Sequence, residues 1–369
     1  MRLRYWVAEA KSGNIVGELR VAGSASFSSK FGGGSCRVPV SLSHLTTRDR
    51  SGPDWAAVER VLGWTRGGLH SVVVTDHLQR CLGEWVLMRR SRPAPSGVVT
   101  VQGMEWAGYP ALRSLNADYV YAGVEQLTIA RDLLAAAFTS FNTGMQITIP
   151  AAVSGVARSM DHKSHSAYYS DLLDEIADAD GGFEWHVDTT LTWSAGRPTK
   201  ATRSVAFGHP ILSRASALVL HQASPGSRRG NALAVEGGDD FARYAQSVYG
   251  IGAGQGGKQR WVGLSDPTLT NAGYLNSTKN VSFAGVSDTG TLTALTQGAL
   301  VAAQDLRDPY SATALVDKIA ELPRVGYRAR LQVDRTWNYP PGLDETLRVG
   351  EVSYQASGHQ LSTVSVQAI

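Results

Sequence analysis

The first third of the chain alternates apolar and polar positions with the two-residue period that is typical of β-strands. In the N-terminal stretch RLRYWVAEA, Leu3, Tyr5 and Val7 share one face, and after the loop KSGN the segment NIVGELRV returns as a hairpin partner. Further strands are predicted at 37–42, 70–76, 83–90 and 97–109. Only one short helix is predicted here, at 53–63. Short strands separated by turn residues are typical of a small barrel or sandwich, so we predict a β domain over residues 1–112.

The period changes at about residue 118, where apolar residues begin to recur at three- and four-residue steps. The segment 123–142 carries such a stripe and is rich in alanine, which predicts a helix. A strand is predicted in MQITIP, ended by Pro150, and a second helix at about 167–180, capped by Gly181. We therefore predict a middle α/β domain over residues 113–204.

Strands return after residue 200 and are interrupted by a helical pattern. The early strands are predicted at 203–208 and 216–223, and the closing strands at 327–335, 345–354 and 360–369. Between them, helices are predicted at 236–250, 291–306 and 311–323, the second weakened by Gly298. The pattern indicates a second β domain over 205–369 with a helix-bearing insertion at about 236–324. The fold class expected for the whole chain is β-rich α+β.

The composition is that of a globular protein, and its charge limits the kinds of partner that we expect it to bind. The 369 residues are 43% hydrophobic and 18% charged, and this length suits two or three domains. A net charge of +3 is too small to indicate a nucleic-acid-binding surface, so sequence-specific nucleic-acid binding is not expected. We interpret the densest basic cluster, 89-RRSR-92, as solvated charge at a hairpin tip.

Cysteine content and hydropathy indicate the cellular compartment in which the chain is made. Cys36 and Cys81 are the only cysteines, which is too few for a disulfide scaffold, and we expect two reduced, buried thiols. Glu9 and Lys11 interrupt any apolar core in the N-terminal stretch, so no export signal is expected. No apolar run is long enough to predict a membrane span. We therefore expect the chain to be made in the cytoplasm.

One strand places a carboxylate, an imidazole and a second carboxylate in a row. In 183-FEWHVD-188, Glu184, His186 and Asp188 share one face, opposite Phe183, Trp185 and Val187. Such a row suits a metal or acid/base site, but a single strand supplies only part of a coordination shell. We interpret it as a polar face that is solvated or set against a neighbouring subunit.

A short internal repeat supports that interpretation. The sequence Gly, apolar, Glu, Trp occurs at 103–106 and again at 182–185, both times at a predicted strand. A catalytic site seldom appears twice in different local contexts, whereas a strand that buries its Trp and leaves its Glu in water can do so easily.

Other candidate motifs point to solvated or flexible segments. The glycine spacing of 252-GAGQGG-257 matches a dinucleotide-binding loop, but a predicted helix before it and a strand after it are the wrong context. Asp171, Asp174, Glu175 and Asp178 cluster on one helix face, which we interpret as solvent-exposed. The sequence has no G-x-S-x-G, H-E-x-x-H or P-loop motif. Single histidines without a paired ligand spacing lie at 162, 165, 209, 221 and 359.

The order of segments resembles the minor tail or baseplate hub proteins of tailed phages, especially siphovirus tail-tip hubs of phages with actinobacterial hosts. The resemblance spans nearly the full chain and rests on these stretches: RLRYWVAEAKSGNIVGEL, GEWVLMRR, VTVQGMEWAGY, YAGVEQLTIARDLL, DLLDEIADADGGFEWHVD, GIGAGQGGKQRW and LRVGEVSY. It implies two small β-barrels, related to tail-tube subunits, in each protomer. Three protomers would then form a pseudo-sixfold ring that docks on a sixfold tail tube.

The resemblance implies a structural virion protein rather than an enzyme. Its expected partners are the distal tail protein, the tail tube, the tape measure protein and the tail fibre or adhesin proteins, around the passage for DNA. We assign no catalytic, metal-binding or cofactor-binding residue and expect no cofactor. Two alternatives stay open at this point: a cell-wall or polysaccharide hydrolase, and a non-catalytic carbohydrate-binding β module.

Overall fold

The computed structural model describes residues 1–47, 52–93, 96–140, 144–224, 230–254, 258–283, 286–304, 309–358 and 360–368. Strands account for 47% of the chain and helices for 19%, which confirms the β-rich α+β class. No helix among these residues is both long and apolar enough to cross a membrane.

The N-terminal part is built mainly from antiparallel strands. Its elements are β1 (Leu3–Glu9), β2 (Ile15–Leu19), β3 (Ser24–Lys30), β4 (Ser35–Ser41), α1 (Trp55–Trp64), β5 (His70–Asp76), β6 (Cys81–Ser91) and β7 (Val98–Glu105), followed by a 3₁₀ helix at Trp106–Leu112. The alternation in β1 places Leu3, Tyr5 and Val7 in the main core. Trp6 and Ala8 are buried as well, because the middle part covers the other face of this strand.

The middle part combines two helices with short sheets. Its elements are β8 (Tyr119–Glu125), α2 (Gln126–Thr139), β9 (Ile147–Thr148), β10 (Ala157–His162), α3 (Tyr169–Ala177), β11 (Glu184–Ser194) and β12 (Arg197–Gly208). The predicted helices at 123–142 and 167–180 are confirmed as α2 and α3. They form a separate core with Phe183, which precedes β11, and with Trp185 and Val187 on the adjacent face of β11.

The remaining elements return to strands around residues 247–304, which have their own three-stranded sheet and helix and are called the inserted unit below. They are β13 (Arg214–Gln222), β14 (Ala232–Glu236), a 3₁₀ helix at Phe241–Arg243, β15 (Ser247–Ile251), β16 (Trp261–Ser265), α4 (Thr268–Asn271), β17 (Thr278–Ser282), α5 (Thr289–Gln304), β18 (Tyr310–Leu315), a 3₁₀ helix at Val316–Lys318, β19 (Tyr327–Val333), β20 (Leu343–Ser357) and β21 (Gln360–Ala368).

Two of the three helices predicted in this region are wrong. The segment 236–250 contains one 3₁₀ turn and then β15, and the segment 311–323 begins in β18. Both strands are paired on two sides, β15 with β16 and β17, and β18 with β14 and β21. This pairing with strands elsewhere in the chain outweighs the local helix signals of the two segments. The helix predicted at 291–306 is confirmed as α5.

One thirteen-stranded sheet system joins the two ends of the chain. The junction is the antiparallel pair β3–β20, whose register runs from Ser24↔Ser357 to Lys30↔Glu351. Tyr354 of β20 stacks on Phe27 of β3, with 5.0 Å between ring centroids, inside a core shared by both ends. The predicted domain boundaries, and the closure of these strands into two tube-like barrels, stay predictions.

The inserted unit packs its helix on the end of α3. A Cβ on Gly298, in the middle of α5, would lie 2.3 Å from the Asp178 carbonyl oxygen, so only glycine allows this approach. Ala179 is buried nearby against Leu292 and Leu295. The glycine that weakens the helix pattern therefore serves close packing between two parts of the chain.

Candidate functional site

A buried ion pair joins the middle part to the N-terminal sheet. Glu84 of β6 and Arg203 of β12 are 3% and 1% exposed. Arg203 Nη2 donates to Glu84 Oε1 at 2.7 Å and Nε donates to Oε2 at 3.0 Å. Ser71 also donates to Glu84, Arg203 donates to the Ala10 carbonyl at 2.7 Å, and the guanidinium lies 4.4 Å from the Trp106 ring. These contacts compensate the desolvation of both charges.

A second buried group, His186, lies between two carboxylates. Its Nε2 is 3.8 Å from Glu105 Oε2 and 3.3 Å from Ser29 Oγ. Its Nδ1 is 3.4 Å from Asp188 Oδ1, without hydrogen-bond geometry. Burial by itself lowers the pKa of His186, but the two carboxylates outweigh it and raise that pKa to about 9. The imidazole is therefore charged at neutral pH.

The two carboxylates that share the His186 face of β11, Glu184 and Asp188, pair with arginines from strands later in the chain. Arg214 donates to both oxygens of Asp188, at 3.0 and 2.7 Å. Burial raises the pKa of Asp188, but the nearby cations His186 and Arg214 prevail and lower it. Glu184 pairs with Arg348 and accepts a hydrogen bond from the Leu212 backbone N–H at 2.8 Å.

The prediction that this row is solvated or faces a neighbouring subunit is wrong for His186. Only 7% of that residue is exposed, and the groups that cover it belong to the same chain. The reason is that β11 lies between two layers, with α2 and α3 on the Trp185 face and the large sheet on the His186 face. Sequence alternation identifies the residues that share a face but not what covers that face.

The two copies of the repeat meet here. We call the buried and half-buried charged groups between the three parts the joint; they are Glu84, Glu105, Glu184, His186, Asp188, Arg203, Arg214 and Arg348. Trp106 and Trp185 are buried, as predicted for both. The prediction that Glu105 lies in water is wrong, because it is 4% exposed and accepts a hydrogen bond from the Gly34 N–H at 2.6 Å. A Cβ on Gly34 would lie 2.1 Å from the Ser28 carbonyl oxygen, so the turn that presents this N–H requires glycine.

A cavity of about 160 Å³ lies beside the joint. It is lined by side chains from all three parts, among them Cys81, Glu105, His186, Arg214 and Arg324. That volume has room for a few water molecules beside polar groups. Within the described ranges, no three His, Cys, Asp or Glu residues are grouped to hold a metal ion. This arrangement is best suited to holding the three parts together through paired charges.

Both thiols are free, as predicted. Cys36 is buried, as predicted, but the prediction of burial is wrong for Cys81, which is partly exposed because it lines the cavity. Burial raises the pKa of each thiol to about 12. Both are therefore protonated and weakly nucleophilic at neutral pH.

The remaining sequence candidates lie away from the joint. Strand β15, not a helix, precedes the glycine-rich loop, whose residues 255–257 lie outside the described residues. On α3, Asp171, Asp174 and Asp178 are exposed as predicted, while Glu175 turns inward to His162 at 2.9 Å.

Among the single histidines, His221 pairs with Asp334 at 3.0 Å, and His165 and His209 are exposed. His359 lies outside the described residues. In the cluster 89-RRSR-92, Arg89 and Arg92 are exposed, in keeping with solvated charge, while Arg90 donates to the Leu62 carbonyl at 2.7 Å.

Sequence reasoning missed the arginines that complete the joint, Arg203, Arg214 and Arg348. A signal for one of them was present. In β12, Arg203 alternates with Ala201 and Val205, so it falls on an apolar face, where an arginine requires a buried carboxylate.

Comparison with known proteins shows a shared fold without close sequence similarity. No protein-family model and no curated protein sequence matches the chain. A tail protein from Neisseria meningitidis MC58 is similar in structure, with a TM-score of 0.59 and 14% identity over 99% of this chain and 96% of that one. The 43 kDa tail protein of prophage MuSo2 from Shewanella oneidensis gives a TM-score of 0.56 and 9% identity, over 99% and 98% of the two chains.

A third solved structure is similar over nearly the same extent of the chain. The prophage tail protein gp18 from Listeria monocytogenes EGD-e gives a TM-score of 0.51 and 11% identity, over 99% of this chain and 94% of that one. The shared fold therefore spans nearly the whole length of this chain.

Proposed function

We propose that this chain is a structural protein of a phage tail tip, where it forms a trimeric hub. In this role it connects the tail tube and distal tail ring to the host-recognition proteins and surrounds the passage for DNA. The observation that carries the proposal is the end-to-end structural similarity to tail proteins, at 99% of this chain and 96% of the Neisseria protein. Such coverage leaves no part of the described fold to a separate module.

The joint supports a structural role. A hub transmits force between a tube and a receptor-binding apparatus, so its parts must keep a fixed relative orientation. Ion pairs buried between parts favour one arrangement, because any shift separates charges that are no longer solvated. Glu84, Glu184 and Asp188 each hold an arginine of a different segment, so these carboxylates are engaged in holding the chain together.

Mass measurement tests the assembly. We expect the purified chain to give a species of three times its 39.4 kDa mass, either alone or after a tail-tube or distal tail protein of the same virion is added. Mass photometry across a concentration series resolves the two cases. A stable dimer, or a monomer that ignores every tail partner, would contradict the hub.

Location and activity provide independent tests. Antibodies against the chain should label the tip of the tail in electron micrographs of intact particles. Turnover of peptidoglycan or polysaccharide should be absent. Turnover that Glu184→Ala or His186→Ala abolishes would replace the structural proposal with a hydrolase.

A further inference from the structure

The inserted unit exposes one uncharged face that carries two aromatic rings. In the sheet β16–β15–β17, α5 covers one side, and Val248 and Leu264 point towards it. The other side presents three residues from each strand. They are Ser247, Tyr249 and Ile251 of β15, Trp261, Gly263 and Ser265 of β16, and Thr278, Asn280 and Ser282 of β17.

The aromatic pair covers a glycine on this face, with the two ring planes inclined at 57° to each other. Tyr249 pairs across the strands with Gly263, and a Cβ on that glycine would lie 2.9 Å from the Tyr249 ring. Trp261, two residues earlier on the same strand, has its ring centroid 6.3 Å from that of Tyr249. A Cβ on this glycine would also lie 3.4 Å from the Trp261 ring, so both side chains cover it, but this does not explain why Trp261 is 66% exposed.

The size of the face indicates a small ligand. Three strands of five residues span roughly 17 Å by 14 Å, which is about 240 Å². A stable protein interface needs about 800 Å² on each partner. The face is therefore well below the area that would hold another subunit, while it is long enough for a few sugar rings.

The chemistry of the face indicates a saccharide. The C–H faces of a hexose pack on aromatic rings, and its hydroxyls bond to the kinds of group that surround them here, hydroxyls and an amide. Because none of the outward side chains is charged, the face complements a neutral glycan better than an anionic one. We propose that the Tyr249–Trp261 face of the inserted unit is a binding platform for neutral hexose oligosaccharides.

Calorimetric titration of the full chain tests this proposal. The probes are cellohexaose, maltohexaose and hexa-N-acetylchitohexaose, with oligogalacturonate as the anionic comparison. We expect at least one neutral probe to bind and oligogalacturonate to bind more weakly. Trp261→Ala and Tyr249→Ala should each weaken binding about tenfold, the effect of losing one ring contact. Trp261→Phe should keep part of the affinity.

Controls separate this site from other exposed tryptophans and from folding defects. Trp337, which is 100% exposed on the β19–β20 connection, provides the matched variant Trp337→Ala, and its affinity should equal that of the wild type. Equal unfolding midpoints establish that each variant is folded. Three results would overturn the proposal: no neutral probe binds, Trp261→Ala binds like the wild type, or Trp261→Ala changes the oligomer distribution, in which case a second copy covers the face.

Discussion

Arg203 and Glu84 lie 119 residues apart in the chain and form a two-point ion pair that is almost completely removed from solvent. Loss of one partner leaves the other charged and buried, whereas loss of both leaves an apolar contact. Arg203→Met should therefore lower the free energy of unfolding by about 3–5 kcal/mol. Urea titration followed by fluorescence measures this change.

A double variant separates the buried charge from lost packing. Glu84→Leu combined with Arg203→Met should recover much of the stability that Arg203→Met loses. The exposed pair Arg330–Asp344 provides the surface comparison, and Arg330→Ala should cost less than about 1 kcal/mol. If Arg203→Met is as mild as Arg330→Ala, the joint does not hold the parts together.

The charge on His186 makes stability depend on pH in the alkaline direction. Its pKa is about 9 in the folded chain, against about 6.5 for an unfolded histidine, so the folded state binds the proton more tightly. The resulting stabilisation, on the order of 3 kcal/mol, is complete below pH 6.5 and is lost as the pH rises through about 9. Unfolding midpoints measured from pH 6 to pH 10 should fall across this window.

Two histidine variants test whether His186 causes this pH dependence of stability. His186→Gln should flatten the alkaline decline and lower stability at pH 6. The exposed His77 provides the control, and His77→Gln should keep the wild-type pH profile. A profile that stays steep in His186→Gln would assign the alkaline transition to another group.

Gly298 and Gly63 should respond to alanine in opposite directions. Both lie within helices, and alanine is favoured over glycine there by about 1 kcal/mol. A Cβ at Gly63 meets nothing within 4 Å, so Gly63→Ala should stabilise the chain. At Gly298 the Cβ collides with the Asp178 carbonyl, and Gly298→Ala should destabilise it by about 1–3 kcal/mol. Thermal unfolding of the two variants measures the difference, and a gain at Gly298 would show that α5 does not pack closely on α3.

The two thiols should be unreactive until the chain unfolds. Burial keeps the pKa of Cys36 and Cys81 near 12, so little thiolate is present at pH 8. A colorimetric disulfide reagent should react slowly with the native protein and release two equivalents in guanidinium chloride. Rapid native reaction of one equivalent would identify Cys81 as open through its cavity.

Local pattern was a reliable guide where one element's own residues decide its structure. The stripe in 167–180 predicts α3, because Leu172, Leu173 and Ile176 must share a buried face. The alternation in β1 and around Trp185 also predicts which residues enter a core. Pattern failed at β15 and β18, where partners distant in sequence supply the hydrogen bonds on both edges.

The sequence alone determined the β-rich class, four of the helices and the tryptophan anchors, since hydrophobic periodicity acts within a few residues. Only the tertiary structure decided whether the polar row at Glu184, His186 and Asp188 is exposed to solvent or covered by other residues. Alternation assigns side chains to a face, but the layer that covers the face comes from elsewhere in the chain. In this protein that layer brings Glu105, Arg214 and Arg348, which bury His186 and pair the half-buried Glu184 and Asp188 with arginines.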